Sequence, residues 1–237
     1  MATLYFVVEG KRTEPALYGA WIPLLLPEYR RVRRIEDAAE NTFFIVAGHG
    51  YPSYNERILA ALEDIVGSDG GFTHLIVCVD SEERSIDERH EELQAVVHEK
   101  ACPAPIQFII ANCCIETWLL GNMKFVRRNP QSAELRRLLG LYDVTERDPE
   151  RMPSLDSTFS TRARFHCHYL QHAFKERDLA FSKRRPGHAA SKGYFEQLCR
   201  RTESRTDGEP DLASFAKLLN LPNWLLETTS HPDANPS

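Results

Sequence analysis

The chain has 237 residues, of which 42% are hydrophobic and 27% are charged, a composition typical of a globular protein with a sizeable core. No window approaches the roughly 20 uncharged apolar residues of a membrane helix, and Glu9, Lys11 and Arg12 interrupt the first apolar run where a signal peptide would continue it. The six cysteines form no Cys-x-x-Cys pair, which favours reduced core thiols. We therefore expect a cytoplasmic protein without a membrane segment, a disulfide framework or a zinc ribbon.

The net charge of −5 is unevenly distributed along the chain. Residues 1–123 contain 10 basic and 19 acidic side chains, whereas residues 124–205 contain 18 basic and 10 acidic ones, and residues 206–237 contain 1 and 5. A basic block of this kind is either a solvated helical surface or a surface for a polyanion such as nucleic acid. Both interpretations stay open at this point.

Strand and helix patterns alternate through the first half of the chain. Four near-continuous apolar runs, each followed by a helical pattern, predict an α/β fold with a parallel sheet that is covered on both faces. The predicted strands are Leu4–Val8, Thr42–Ala47, His74–Val79 and Pro105–Ala111, and the helices cover about residues 15–26, 54–66, 85–99 and 115–122. Helix starts are marked by Thr13-Glu14-Pro15 and by two capping boxes, Ser53/Glu56 and Ser85/Glu88.

The second half is predicted to be mostly helical. Helical apolar spacing recurs in residues 131–139, about 160–178, about 188–204 and 211–220, with polar joints at 148–154 and 206–210. We expect an α/β catalytic domain in residues 1–123, a basic helical extension packed on it in residues 124–228, and a disordered tail in residues 229–237.

Acidic residues follow three of the predicted strands. Glu9 ends the first, Asp80 and Glu82 end the third, and Glu116 comes shortly after the fourth. Ligands of parallel α/β sheets bind outside the carboxyl ends of the strands, so these acids should gather at one edge. Mg²⁺ and Mn²⁺ take carboxylate oxygens, and a cluster of carboxylates repels itself unless a cation neutralises it. We therefore predict a metal site formed by these four acids.

Three segments carry a resemblance to a known family. Residues 7–14 (VVEGKRTE), 77–83 (VCVDSEE) and 114–122 (CIETWLLGN) resemble Toprim-domain proteins of the RloB-like and OLD-nuclease kind, over about residues 4–122. The resemblance implies a Rossmann-like fold that binds Mg²⁺ or Mn²⁺ and cleaves nucleic acid phosphodiesters, often in anti-phage defence. It implies that Glu9 is a general acid/base or metal ligand, that Asp80 and Glu82 are metal ligands, and that Glu116 serves a second metal.

This sequence departs from the family pattern at two points. Glu82 stands where the family usually has a second aspartate, and Glu83 and Arg84 replace the glycine that often follows. A longer carboxylate can still ligate a cation, so we keep Glu82 in the predicted metal site.

Two basic segments are candidate nucleic-acid contacts. After Gly10, which would let the backbone approach a phosphate, Lys11 and Arg12 stand at a helix N-terminus, although an ordinary strand–helix turn explains them equally. Residues 181–195 interleave aromatic and basic side chains, as in single-strand binders, or hold core aromatics. The nucleic-acid candidates there are Lys183, Arg184 and Arg185, and either Lys183 or Lys192 would be the catalytic lysine of OLD-type nucleases.

Other chemistries find less support. His168 and His172 are spaced i, i+4 near His166, but no acid completes an HExxH motif, so we do not predict zinc there. No nucleophile elbow and no P-loop is present. The leading hypothesis is a Mg²⁺- or Mn²⁺-dependent Toprim nuclease acting in defence, with nucleic acid as its partner and a homo-oligomer as one expected state. The alternatives are a non-catalytic scaffold that binds an ATPase subunit or nucleic acid, and a primase-like polymerase.

Overall fold

A computed structural model describes residues 2–68, 71–154, 156–182 and 186–230. Within these ranges the chain forms seven strands and nine α-helices. The strands are β1 (Thr3–Val8), β2 (Arg30–Val32), β3 (Thr42–Ala47), β4 (His74–Asp80), β5 (Ile106–Ala111), β6 (Arg205–Thr206) and β7 (Glu209–Pro210). The helices are α1 (Thr13–Leu25), α2 (Ser53–Gly67), α3 (Ile86–His98), α4 (Ile115–Leu120), α5 (Ala133–Leu141), α6 (Arg162–Lys175), α7 (Lys192–Arg201), α8 (Ala213–Leu219) and α9 (Leu221–Ser230). None of these helices combines the length and apolar character that crossing a bilayer requires.

Five of the strands form one parallel sheet in the order β2-β3-β1-β4-β5. The central strand β1 is buried along its whole length, as expected for a mostly apolar strand with neighbours on both sides of a parallel sheet. Its last residue, Val8, lies opposite Ala47 of β3 and Cys78 of β4. The predicted α/β fold with a parallel sheet and a helical second half is confirmed.

The chain divides into two compact units. The first consists of Met1–Val79, Asp87–Ile110 and Lys217–Ser237, and the second of Asp80–Ile86 and Ala111–Ala216. The two units are compact parts of the structure, whereas the predicted domains were defined by function. The predicted domain boundary at residue 123 therefore stays a prediction. The predicted tail of residues 229–237 begins inside α9, and its residues 231–237 lie outside the described part of the chain.

Each unit has its own apolar core. Fully buried aromatic side chains mark both cores: Phe6, Trp21, Phe43 and Tyr54 in the first unit, and Trp118, Phe165, Tyr169, Phe174 and Phe215 in the second. Burying such large apolar rings stabilises each unit.

Several predicted boundaries differ from the structure. Strand β2 was not predicted, because it has three residues and its two arginines are exposed at the sheet edge. The capping box at Ser53 is wrong: α2 begins at Ser53, and its cap residue Pro52 makes no side-chain cap hydrogen bond. The predicted helix over residues 188–204 is shorter, because a 3-10 turn (Gly187–Ala190) precedes α7. Helix α9 extends the helical part of the chain beyond the predicted residue 220.

The polar joint predicted at residues 206–210 contains the β6–β7 hairpin. Thr206 pairs with Glu209, which leaves Asp207 and Gly208 as a two-residue turn. Both turn residues have positive φ, at 53° and 86°. This is the conformation for which the Asp-Gly sequence is favoured in hairpins, so the sequence carried a signal for this turn.

Two glycine substitutions should change stability in opposite directions. Gly208→Ala places a Cβ at a φ of 86° and should lower the free energy of unfolding by about 1–2 kcal/mol. Gly140→Ala, inside α5 where an added Cβ meets no atom within 4 Å, should raise it by about 0.5–1 kcal/mol. Urea unfolding of both variants measures the two changes in the free energy of unfolding. Two changes of the same sign would contradict the prediction.

Candidate functional site

The loops that follow β4 and β5 are joined by hydrogen bonds. The Ser81 N–H donates to the Ala111 carbonyl at 2.9 Å, and the Glu82 N–H donates to the Cys113 carbonyl at 2.8 Å. In return, the Cys113 N–H donates to Ser81 Oγ at 2.8 Å. These bonds hold the segment that carries Asp80 and Glu82 against the segment that leads into α4.

Asp80 and Glu116 both belong to the second unit, although the predicted acids do not form a group of three ligand atoms within 4.8 Å of one another among the described residues. Asp80 is the partly buried last residue of β4, and Glu116 stands in the first turn of α4 with 2% exposure. Burial is the main cause that raises the pKa of the Cys114 thiol, and the negative charges of Glu116 and Asp80 raise it further. Both carboxylates therefore lie in the neighbourhood of the same buried sulfur atom.

Glu82 is exposed and has an unusual backbone. Its φ is 53°, in the left-handed region that residues other than glycine rarely adopt. Cys113, whose carbonyl accepts the Glu82 N–H, is also in this region with a φ of 69°. Strained backbone in two joined loops is a common feature of ligand sites, because the surrounding structure has to enforce it. A role of the exposed Glu82 carboxylate as a metal ligand stays a prediction.

Glu9 belongs to the first unit and lies directly after β1. It is 8% exposed; its N–H donates to the Cys78 carbonyl, and its carbonyl accepts from the Gly50 N–H, both at 2.9 Å. The pKa of Tyr54 is raised chiefly by burial and also by the charge of Glu9. The Tyr54 hydroxyl in turn accepts from Arg89 Nη1 at 2.8 Å. Glu9 is thus part of a buried polar group of the first unit, and its predicted place beside the three later acids stays a prediction.

The basic residues near the start of α1 are exposed. Lys11 and Arg12 both face solvent, and Arg12 occupies the cap position of α1 without a side-chain cap hydrogen bond. The carboxylate of Glu14 occupies the space that a side chain at Gly10 would fill. The glycine therefore makes room for a carboxylate of the chain itself, which agrees with an ordinary strand–helix turn. Nucleic-acid binding by Lys11 and Arg12 stays a prediction.

Part of the second basic segment lies outside the described residues, namely Lys183, Arg184 and Arg185. Lys192 is the exposed first residue of α7 and forms an ion pair with Glu196 at 3.8 Å. The three aromatic side chains of the segment are buried, which supports the core interpretation over stacking on bases: Phe181, Tyr194 and Phe195. The structure therefore does not decide whether Lys183 or Lys192 is the predicted catalytic lysine.

A basic cleft of about 380 Å³ lies in the second unit. Three of its lining residues carry basic side chains, namely Lys124, Arg177 and His188, and the described lining contains no aspartate or glutamate. Arg177 donates to the carbonyls of Lys124 at 2.6 Å and Phe125 at 3.0 Å, which holds its guanidinium in place. A cleft of this size and charge suits an anionic ligand.

Sequence reasoning missed a cluster of two thiols and an imidazole. One potential ligand atom from each of Cys113, Cys114 and His166 lies within 4.8 Å of the other two, and all three residues are buried. The pKa of Cys113 is lowered, first by a hydrogen bond with Cys114 and then by His166, although burial acts in the opposite direction. The adjacent cysteines beside the CIETWLLGN segment were the available signal, but His166 is distant in the sequence.

The histidine pair considered for zinc has a different role. His168 Nε2 lies 3.0 Å from Glu134 Oε1, and its ring packs against that of His172 at 4.5 Å between centroids. Both residues lie on α6, and among the described residues they are not part of a metal-ligand group.

The second unit provides two carboxylates whose charges act on a buried thiol, a third carboxylate on the joined loops, and a basic cleft. Carboxylate oxygens suit a hard divalent cation, and basic side chains suit a phosphate-bearing ligand. Comparison of the chain with protein-family models, curated proteins and solved structures finds no match.

Proposed function

We propose that the protein is a Mg²⁺- or Mn²⁺-dependent nuclease of the Toprim type that hydrolyses phosphodiester bonds of nucleic acid. The observation that carries the proposal is that the charges of Asp80 and Glu116 both raise the pKa of the Cys114 thiol, next to the joined loops that carry Glu82. The role in anti-phage defence rests on the resemblance of the three sequence segments alone.

The donor set fits the proposed cation. Asp80, Glu82 and Glu116 offer only oxygen atoms, the ligands that Mg²⁺ and Mn²⁺ prefer, and Glu116 is removed from water. A bound ion would supply Lewis-acid stabilisation of the charge that develops on the phosphoryl oxygens. The residues of the chain would hold that ion and orient the phosphate. The resemblance adds Glu9 as a proton-transfer group or further ligand.

The basic cleft supports nucleic acid as the partner. Lys124, Arg177 and His188 would contact backbone phosphates, and the preorganised Arg177 would lose little conformational freedom on binding. The six cysteines carry no disulfide, which suits the reducing cytoplasm. An ATPase partner subunit and a homo-oligomer stay predictions from the sequence.

Cleavage should depend on the metal and on the two acids beside Cys114. A bound metal contributes several kcal/mol to transition-state stabilisation, so we expect Asp80→Asn and Glu116→Gln each to lower the cleavage rate at least about a hundredfold. The assay follows plasmid, single-stranded DNA and RNA with Mn²⁺, with Mg²⁺ and with chelator. Glu91→Gln, at an exposed site on α3, is the matched control and should cleave like the wild type.

Thermal melting separates loss of function from loss of folding. In chelator, Asp80→Asn should melt at the wild-type temperature or above it, because removing one charge relieves repulsion between clustered carboxylates. Cleavage that persists in chelator, or that is undiminished in both acid variants, would refute the metal mechanism. If the wild type neither cleaves nor melts at a higher temperature with Mn²⁺, the scaffold alternative becomes the better one.

A further inference from the structure

The cluster of Cys113, Cys114 and His166 has the spacing of a metal site that needs little rearrangement. The ligand atoms lie within 4.8 Å of one another, and the three residues are 0%, 1% and 0% exposed. Zinc binds sulfur at about 2.3 Å and nitrogen at about 2.0–2.1 Å, so tetrahedral ligand atoms stand roughly 3.5–3.8 Å apart. Closing the cluster around an ion therefore requires movements of about 1 Å.

The ring of His166 is already oriented as a metal ligand. Its Nε2 lies 3.0 Å from the Met152 carbonyl, which can only accept, so Nε2 carries the proton and donates. Nδ1 then has the free lone pair and accepts from the Thr117 hydroxyl at 2.7 Å. Metal-binding histidines commonly donate their other ring N–H to a carbonyl or carboxylate in this way, which fixes the tautomer.

Thr117 can release Nδ1 without losing its own hydrogen bond. Its Oγ1 lies 3.4 Å from the sulfur of Cys114 as well as near His166. Rotation of the hydroxyl would transfer its hydrogen bond from the imidazole to a Cys114 thiolate. Nδ1 is thereby freed for an ion, and one thiolate gains a donor.

The backbone explains how two adjacent cysteines can serve one ion. Side chains of neighbouring residues in extended chain point in opposite directions. The left-handed conformation of Cys113, with a φ of 69°, interrupts this alternation, so both sulfur atoms face the same imidazole. The bonds of Cys113 to Ser81 and Glu82 hold this conformation in place. The strain therefore has an identifiable result, which is the convergence of the two thiols.

We propose that Cys113, Cys114 and His166 bind one zinc ion or another thiophilic divalent cation through two thiolates and Nδ1. Binding releases the remaining thiol protons to solvent, and an oxygen ligand completes the shell. Thiolates select soft cations and not Mg²⁺, so this site differs from the proposed hard-cation site in its chemistry. The inference does not rest on the proposed nuclease function.

Cobalt titration of the reduced, metal-free full chain tests the site. We expect a near-ultraviolet thiolate-to-cobalt charge-transfer band that saturates at one equivalent, disappears with one equivalent of Zn²⁺ and is unchanged by excess Mg²⁺. Cys113→Ser and Cys114→Ser should each reduce the band to about half and weaken binding at least tenfold, since each removes one of two thiolate ligands. Cys199→Ser, a partly buried cysteine of α7, is the matched control and should retain the full band.

A second measurement is needed for two cases: metal ions that reach the buried ligands only slowly, and variants that fail to fold. The wild type is refolded with Zn²⁺ under reducing conditions, and its bound zinc is counted after gel filtration, with one ion per chain expected. The absence of both the cobalt band and refolding-dependent zinc would overturn the proposal, as would a band of unchanged intensity in both cysteine variants. Metal-dependent cleavage is scored separately on the acid variants, so either result can fail alone.

Discussion

Replacing Arg201 by methionine should lower the free energy of unfolding by about 3–5 kcal/mol, because it leaves a buried carboxylate without its counter-ion. Arg201 and Asp211 are 1% and 3% exposed, and Nε lies 2.7 Å from Oδ2. The other carboxylate oxygen, Oδ1, has no hydrogen-bond partner among the described residues. The charge of Asp211 therefore depends on this one guanidinium.

Arg201 also joins separate segments of the second unit. Its Nη1 donates to the Val144 carbonyl at 3.0 Å, and its Nη2 donates to the Arg147 carbonyl at 2.7 Å. A methionine fills much of the same volume but donates to none of these acceptors, so two carbonyls lose their partner in addition to Asp211. The loss of stability should therefore affect the unfolding of the whole second unit and should not be confined to the end of α7.

Urea unfolding measures this effect with a control from the neighbouring position. Arg200→Met removes the same charge from an exposed site of α7 and should change stability by less than about 0.5 kcal/mol. The double variant Arg201→Met/Asp211→Leu should recover most of the loss, because the unpaired charge is gone. A single variant Arg201→Met as stable as Arg200→Met would show that the buried pair contributes little.

Stability should fall as the pH rises through the titration of Glu150. Burial raises the pKa of this carboxyl from its ordinary 4.5 to about 7, against the hydrogen bonds from Ser214. Between these two values the folded state binds more protons than the unfolded state, so the free energy of unfolding decreases with pH. The expected loss between pH 5 and pH 8 is about 2–3 kcal/mol from this group.

The test is the pH dependence of Glu150→Gln compared with the wild type. The variant cannot ionise at this site. The decrease in its free energy of unfolding over the same pH range should therefore be about 2–3 kcal/mol smaller than that of the wild type. It should start lower at pH 5, because an amide nitrogen in place of Oε2 would face the Ser214 N–H, now 3.1 Å from that oxygen. Glu146→Gln, at an exposed site, should follow the wild-type profile. Parallel profiles for wild type and Glu150→Gln would refute the assignment.

Local patterns were sufficient to predict the sheet. Strands β1, β3, β4 and β5 are near-continuous apolar runs, which are typical of a parallel sheet covered on both faces, and each ends within about one residue of its predicted end. Strand β2 has no such pattern, because an edge strand of three residues with two exposed arginines is stabilised by pairing with β3 and not by burial. Strand β2 therefore forms because β3 is available to pair with it.

Candidate acids were recognisable because each stands in a fixed place relative to a strand. Asp80 follows directly from β4, and Glu116 follows from the short connection between β5 and α4. The sequence could not indicate that both carboxylates approach the thiol of Cys114, because that depends on the bonds between the loops at Ser81 and Cys113. The predicted four-acid metal site therefore stays a prediction, because the described acids do not form a group of three ligand atoms within 4.8 Å of one another.

By itself, the amino-acid sequence determined the α/β class, the parallel strands and the placement of acids after them, since these depend on periodicity and on residues close in the chain. Only the tertiary structure decided which distant side chains meet. The Thr117–His166 hydrogen bond spans 49 positions, and it places an imidazole beside two thiols that the sequence presents only as core cysteines. The physical reason is that a bond between distant segments forms when packing brings them together, and packing depends on the whole chain.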